Sequence, residues 1–92
     1  MFIALLGHPD FAKTDFSYMR TGIMAGSPCP IAVMQDVIDK MHMTEITIVY
    51  GQTEASPGCT MSTTEDPIED RVATVGRDLP EIENKIVDPE TG

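Results

Sequence analysis

Tryptophan is missing from the sequence, and three phenylalanines and two tyrosines are all the aromatics it has. A core built on large rings is therefore excluded, and the interior must be assembled from Ile, Val, Leu and seven Met, a soft and adaptable set. Cysteine is scarce as well. Cys29 and Cys59 stand alone without CxxC spacing, which speaks against a zinc site and against a disulfide-stapled secreted scaffold. Reduced thiols in a cytoplasmic setting are the expectation that follows. Positive charge is the third shortage, with six basic against fifteen acidic residues and a formal net charge of −9. Such a surface repels phosphate backbones and anionic lipid headgroups, so nucleic acid and membrane surfaces are poor partners. Long apolar runs are lacking too. Met1 to Leu6 is apolar, but Gly7-His8-Pro9-Asp10 ends it, too soon for a signal peptide or an integral membrane segment.

What is present has the size of one small domain. A chain of 92 residues buries only about 60–65% of the surface its unfolded form exposes, so its margin of stability is thin. Because Met1 opens directly into an apolar run, the chain reads as an internal piece, residues 1–92, of a larger domain. The faces that the rest would cover are expected to make the isolated piece self-associate.

Along the chain, residues 2–6 read as the tail of a helix and residues 8–17 as a polar connection. Arg20 to Gly26 reads as a short buried strand ending in a Gly-Ser-Pro turn. Ser27 suits the N-cap of the helix that follows and Pro28 its first residue. Ile31, Met34, Val37, Ile38 and Met41 then recur at helical spacing, opposite Gln35, Asp36, Asp39 and Lys40. The helix is expected to close near His42, where the last turn favours positive charge. Glu45 to Tyr50 is rich in β-branched residues and apolar on both faces, as an interior strand of a parallel sheet should be. Strand, helix and strand form a βαβ unit, so the fold class is α/β with a mainly parallel sheet. Residues 57–71 read as a polar, turn-rich stretch with one helical turn at 66–71, and residues 81–88 as an exposed strand interrupted at Asn84.

In a parallel sheet, ligands bind at the carboxyl ends of the strands. Two loops fall there: Gly26-Ser27-Pro28 after the first strand and Tyr50-Gly51-Gln52-Thr53-Glu54 after the second. The second holds a ring that can lie against a base, a glycine that admits close approach, a hydroxyl donor and a carboxylate able to hold Mg²⁺. In an acidic chain an anionic nucleotide needs such local groups. A nucleotide site and a strand that merely ends in a capped turn are both compatible with these five residues. In the first loop Pro28 and Pro30 have no N–H, so that helix start suits a base or acyl group better than a phosphate.

The pentad YGQTE, preceded by RTGIMAGSPCP and followed by TVGRDLP and KIVDPETG, resembles the AMP-binding superfamily of acyl-CoA synthetases, luciferases and peptide-synthetase adenylation domains. The similarity is strongest to medium- and long-chain fatty acyl-CoA ligases and runs from Phe2 to Gly92. It implies a two-step reaction in which ATP activates a fatty acid as acyl-adenylate and CoA takes the acyl group. Carried over, Gly26, Ser27 and Pro28 match the adenine-side loop, Tyr50 the residue flanking adenine, Thr53 the phosphate contact and Glu54 the Mg²⁺ ligand. Gly51 and Gln52, with Ala55 and Ser56, resemble positions near the acyl carboxylate and acyl pocket. The resemblance also implies a phosphate-binding loop, a ribose-binding aspartate and a catalytic lysine, none of which lies within the 92 residues. The piece alone is therefore expected to be inactive. Other outcomes of the same resemblance are an adenylating enzyme with a carrier-protein or oxygen acceptor, or a truncated subdomain without activity. Ile48 departs from relatives that have Asn or Asp two positions before the tyrosine, and Gly58 and Asn84 stand where bulkier apolar residues are usual.

Several other residues carry simpler readings. His8 and His42 have no metal-ligand partner at useful spacing. Met34 and Met41 belong to the core. Cys29 near a helix start could have a lowered pKa, but a buried inert thiol is preferred. Glu65, Asp66, Glu69 and Asp70 lack the glycine and terminal glutamate of a calcium loop and read as solvated. Gly76 reads as a backbone-packing position.

Overall fold

The computed structural model describes residues 1–92. Its centre is the βαβ unit that the apolar periodicity predicts: β1 (Thr21–Met24), α2 (Ile31–Met41) and β2 (Glu45–Gly51). Strands β1 and β2 run parallel, with Thr21 opposite Glu45 and Met24 opposite Ile48. Helix α2 lays Met34, Val37 and Met41 against Ile46, Ile48 and Met24, and Phe2 of the short helix α1 (Phe2–Leu6) joins this core. The helix bends back where expected. His42 takes the left-handed C-cap conformation, φ 56°, and its Nδ1 donates to the carbonyl of Met19 at 2.8 Å.

Two strands complete a mixed four-stranded sheet in the order β1-β2-β3-β4. β3 (Gly58–Met61) pairs antiparallel with β2, and the two-residue β4 (Arg77–Asp78) pairs antiparallel with β3. α3 (Ile68–Ala73) lies between them in sequence. The sheet is thus α/β in class, with one parallel and two antiparallel pairings. No helix is long and apolar enough to cross a membrane.

Six expectations change in the structure. The helix starts at Ile31 rather than Pro28, with Pro30 as its N-cap at ψ 135°. Pro30 disfavours a helical conformation for Cys29 before it, so the first residue free of that restriction begins the helix. Ile31, at the open end, is exposed instead of joining the apolar face. β1 is an edge strand that buries only Met24, not a fully buried one. A strand appears at 58–61 inside the stretch read as turns, because the chain after β2 doubles back and offers β2 a free edge to pair with. Residues 81–88 form no strand. Glu81 adopts φ 66° and Asn84 donates through both its backbone N and Nδ2 to the Asp78 carboxylate, a local turn that removes the segment from the sheet. The expected helical turn at 66–71 becomes α3, shifted two residues on because Asp66 and Pro67 precede it.

Candidate functional site

Parallel pairing puts the carboxyl ends of β1 and β2 side by side, and the loops leaving them face one cleft of about 720 Å³. That volume lies in the usual range for small-molecule pockets. One wall is the loop Gly26 to Cys29, a second is the end of β2 from Ile48 to Gly51, and a third is the segment Val72 to Gly76. The geometry therefore unites Gly26, Ser27 and Pro28 with Tyr50 and Gly51. Gln52, Thr53 and Glu54 are not among the lining residues; they begin a 3₁₀ turn, Thr53–Ala55, that stands exposed just beyond Gly51.

The physical reason lies in the hairpin. After Gly51 the chain must reverse to form β3, and Ser56 turns it with φ 63°. The neck is so narrow that a Cβ on Gly51 would sit 1.8 Å from the carbonyl oxygen of Pro57. Gly51 is thus required by the chain's own backbone, a different reason from the ligand approach expected at that position. Gly26 is the opposite case: its φ of 88° demands glycine, while the space around its missing Cβ is open.

The lining carries no carboxylate, ammonium, guanidinium or imidazole group. Such a cleft suits an uncharged planar or apolar group and leaves anionic groups to the polar rim. Tyr50 is 56% exposed, so its ring is available as a wall. Ile48, which departs from relatives that have Asn or Asp at that position, is buried and offers no side-chain polar atom to the cleft. Cys29 takes the inert course. Burial raises its thiol above the ordinary value, and its Sγ lies 3.4 Å from Met24 Sδ.

The third wall escaped the sequence reading. Within the TVGRDLP segment the sequence assigns a structural role only to Gly76, and that packing role is real: φ is 83°, and a Cβ there would stand 2.1 Å from the Met61 carbonyl carbon. Yet the same glycine brings Val75 and Thr74 to the cleft, where Thr60 Oγ1 donates to the Val75 carbonyl at 2.7 Å. The cue available in the sequence was the isolated glycine between two β-branched residues and Arg77. Asp66 settles the acidic stretch: its carboxylate accepts the Thr63 N–H at 2.8 Å, which holds its pKa below the ordinary value and makes it a turn residue.

Comparison with known families supplies the deciding observation, since the model described as AMP-binding enzyme matches residues 1–92. The chain belongs to the AMP-binding enzyme family. Among its relatives, YngI of Bacillus subtilis (strain 168), an acyl-CoA synthetase by name, is 59% identical over 91 residues, 99% of this chain and 17% of that protein. The mitochondrial medium-chain acyl-CoA ligase ACSF2 of Bos taurus is 45% identical over 92 residues, the whole of this chain and 15% of its own length. The acyl-CoA ligase SID4 of Ajellomyces capsulatus is 47% identical over 90 residues, 98% of this chain and 15% of that protein. This AMP-binding chain therefore spans less than a fifth of the length of the relatives it matches.

The residues present can be tested against a magnesium ion. No three His, Cys, Asp or Glu side chains converge on one point. Mg²⁺ beside a nucleotide needs only one or two carboxylates, with phosphate oxygens and water completing its shell. An exposed Glu54 next to the Thr53 hydroxyl fits that mode of binding.

Proposed function

We propose that this chain forms part of the nucleotide and acyl site of an ATP-dependent fatty acid–CoA ligase. The observation that carries the reading is the uncharged cleft between Gly26-Ser27-Pro28 and Tyr50-Gly51, with Thr53 and Glu54 following in the exposed turn after Gly51. In this reading the adenine lies between the first loop and the Tyr50 ring. Thr53 donates to a phosphate oxygen, and Glu54 holds the Mg²⁺ that screens the phosphate charge. Gly51 and Gln52, with Ala55 and Ser56, border the acyl carboxylate.

The chemistry is a pair of acyl and nucleotidyl transfers. A carboxylate oxygen attacks the α-phosphorus of ATP, the bond to the bridging oxygen breaks, and pyrophosphate leaves with its electron pair. The thiolate of CoA then attacks the acyl carbonyl and AMP departs. Positioning and charge stabilisation dominate catalysis of this kind, which is why one neutral cleft with a polar rim suffices for this part of the site. Support for CoA as acceptor comes from the names of the relatives. A fatty acid is the substrate class this reading adopts, and a cytoplasmic location remains part of it on the strength of two free cysteines.

The test is carboxylate-dependent exchange of labelled pyrophosphate into ATP by the complete protein that contains this segment. CoA, acyl carrier protein and oxygen are then offered separately as acceptors. Fatty-acid-dependent exchange with thioester formation on CoA is expected; the lack of any exchange sinks the reading. The 92-residue polypeptide alone is expected to release no pyrophosphate from ATP and a fatty acid, because no phosphate loop or catalytic lysine lies within it. Detectable release would contradict this.

The same polypeptide is expected to self-associate. β1 is an open edge, and Ile3, Ile23 and Ile31 are all more than half exposed. Light scattering at rising concentration checks this, and a monodisperse monomer throughout would refute it.

A further inference from the structure

Arg71 is the one buried charged residue, only 6% exposed, and none of the four ion pairs includes it. Its Nη1 donates to two carbonyls of the chain entering and forming β2, Thr44 at 3.1 Å and Ile46 at 2.9 Å. Its Nε is buried without an acceptor. Alternation along a strand explains this choice of partners. Glu45 N–H points to β1, where it bonds Arg20, so the groups of residues 44, 46 and 48 point to the opposite edge. On that edge β3 ends at Met61, and the next residue, Ser62, satisfies the C=O and N–H of Ile48 with its N–H and Oγ. The next two carbonyls toward the start of β2 have no strand beside them, and the guanidinium occupies that place.

The consequence reaches the cleft. α3 has six residues, too few to hold its place by its own hydrogen bonds. Its C-terminal half continues directly into Val72 to Gly76, the third wall. That wall is pinned at its far end by Thr60 on Val75 and at its near end by Arg71 on β2. A buried guanidinium outside any close ion pair is an expensive way to gain stability alone. The two bonds from its Nη1 do, however, set the distance and angle between a short helix and a strand more sharply than apolar contact can.

We propose that Arg71 is a positioning residue for the cleft: by standing in for a missing strand along β2 it holds the Val72–Gly76 wall at a fixed distance from Tyr50. The inference rests on the proposed nucleotide site but is separable from it. Arg71 itself does not line the cleft, so its loss acts through the wall and not through direct contact with a ligand.

The experiment compares Arg71→Met, Arg71→Gln and Arg71→Lys in the complete ligase. It reads KM for ATP, KM for fatty acid and kcat, together with hydrogen exchange at the amides of residues 72–76. With Met, KM for ATP is expected to rise about tenfold, the scale on which a slight misplacement of binding groups acts, while kcat changes far less. Exchange at 72–76 should quicken while α2 stays protected, and Lys, whose single ammonium can donate to two carbonyls as Nη1 does, should restore most of the affinity. An unchanged KM for ATP with unchanged exchange overturns the proposal, as does a uniform loss in both KM values with faster exchange throughout. Should the Met variant not fold, the Gln variant decides by the same criteria. A wild-type enzyme without pyrophosphate exchange would instead sink the functional reading, leaving the hydrogen-exchange arm to judge Arg71.

Discussion

Gly76→Ala is expected to lower stability by roughly 3–5 kcal/mol, enough to unfold much of a marginally stable domain. Two separate penalties combine at this position. The backbone angle of 83° is one that alanine adopts only with strain, and the added Cβ would lie 2.1 to 2.2 Å from the carbonyl of Met61 and the N of Ser62. Those are backbone atoms at the end of β3, beside the Ser62 bonds that hold Ile48, so they cannot yield without breaking the sheet. Gly26→Ala provides the control. Its φ of 88° imposes the same kind of strain, but nothing lies within 4 Å of the new methyl group, so a loss of only about 1–2 kcal/mol is expected. Urea denaturation of the complete protein measures both. Equal losses at the two glycines would show that the clash at Gly76 relaxes freely, and the account of the third wall would fail with it.

The second large effect is expected at Glu54. Glu54→Gln should reduce Mg²⁺-dependent adenylation by about a hundredfold or more, the scale seen when a preorganised charge-stabilising group is removed. The substitution keeps shape and removes charge. Glu54 is exposed and takes part in no ion pair, so the fold should be untouched. Pyrophosphate exchange as a function of Mg²⁺ concentration, with far-ultraviolet circular dichroism as the check on folding, distinguishes a lost ligand from a lost structure. Unchanged exchange at saturating Mg²⁺ would remove Glu54 from the mechanism.

These two residues also mark how far the site was legible. Glu54 was visible at once, because a carboxylate beside a threonine, a glycine and a tyrosine is a recognisable local set. The cleft itself needed only the βαβ argument, since parallel strands must bring their following loops to one end. Gly26 to Pro28 and Tyr50 to Gly51 meet for that reason. The position of Gln52, Thr53 and Glu54 outside the lining was not foreseeable from the same rule. It follows from the reversal into β3, and a four-residue strand made of Gly58, Cys59, Thr60 and Met61 has too little apolar pattern to announce itself.

Local chemistry in the sequence determined the β1-α2-β2 unit, the chemical character of both loops and the sharp stop at His42. Each depends on contacts within a few residues or on a periodicity that repeats over several turns. Only the tertiary structure decided that Val72 to Gly76 closes the cleft, that Gly51 and Gly76 are held by backbone atoms far along the chain, and that Arg71 completes an edge of β2. Those outcomes depend on which atoms meet across 6 to 27 residues of sequence. A spacing rule has no access to such meetings, because the geometry of the intervening chain fixes them.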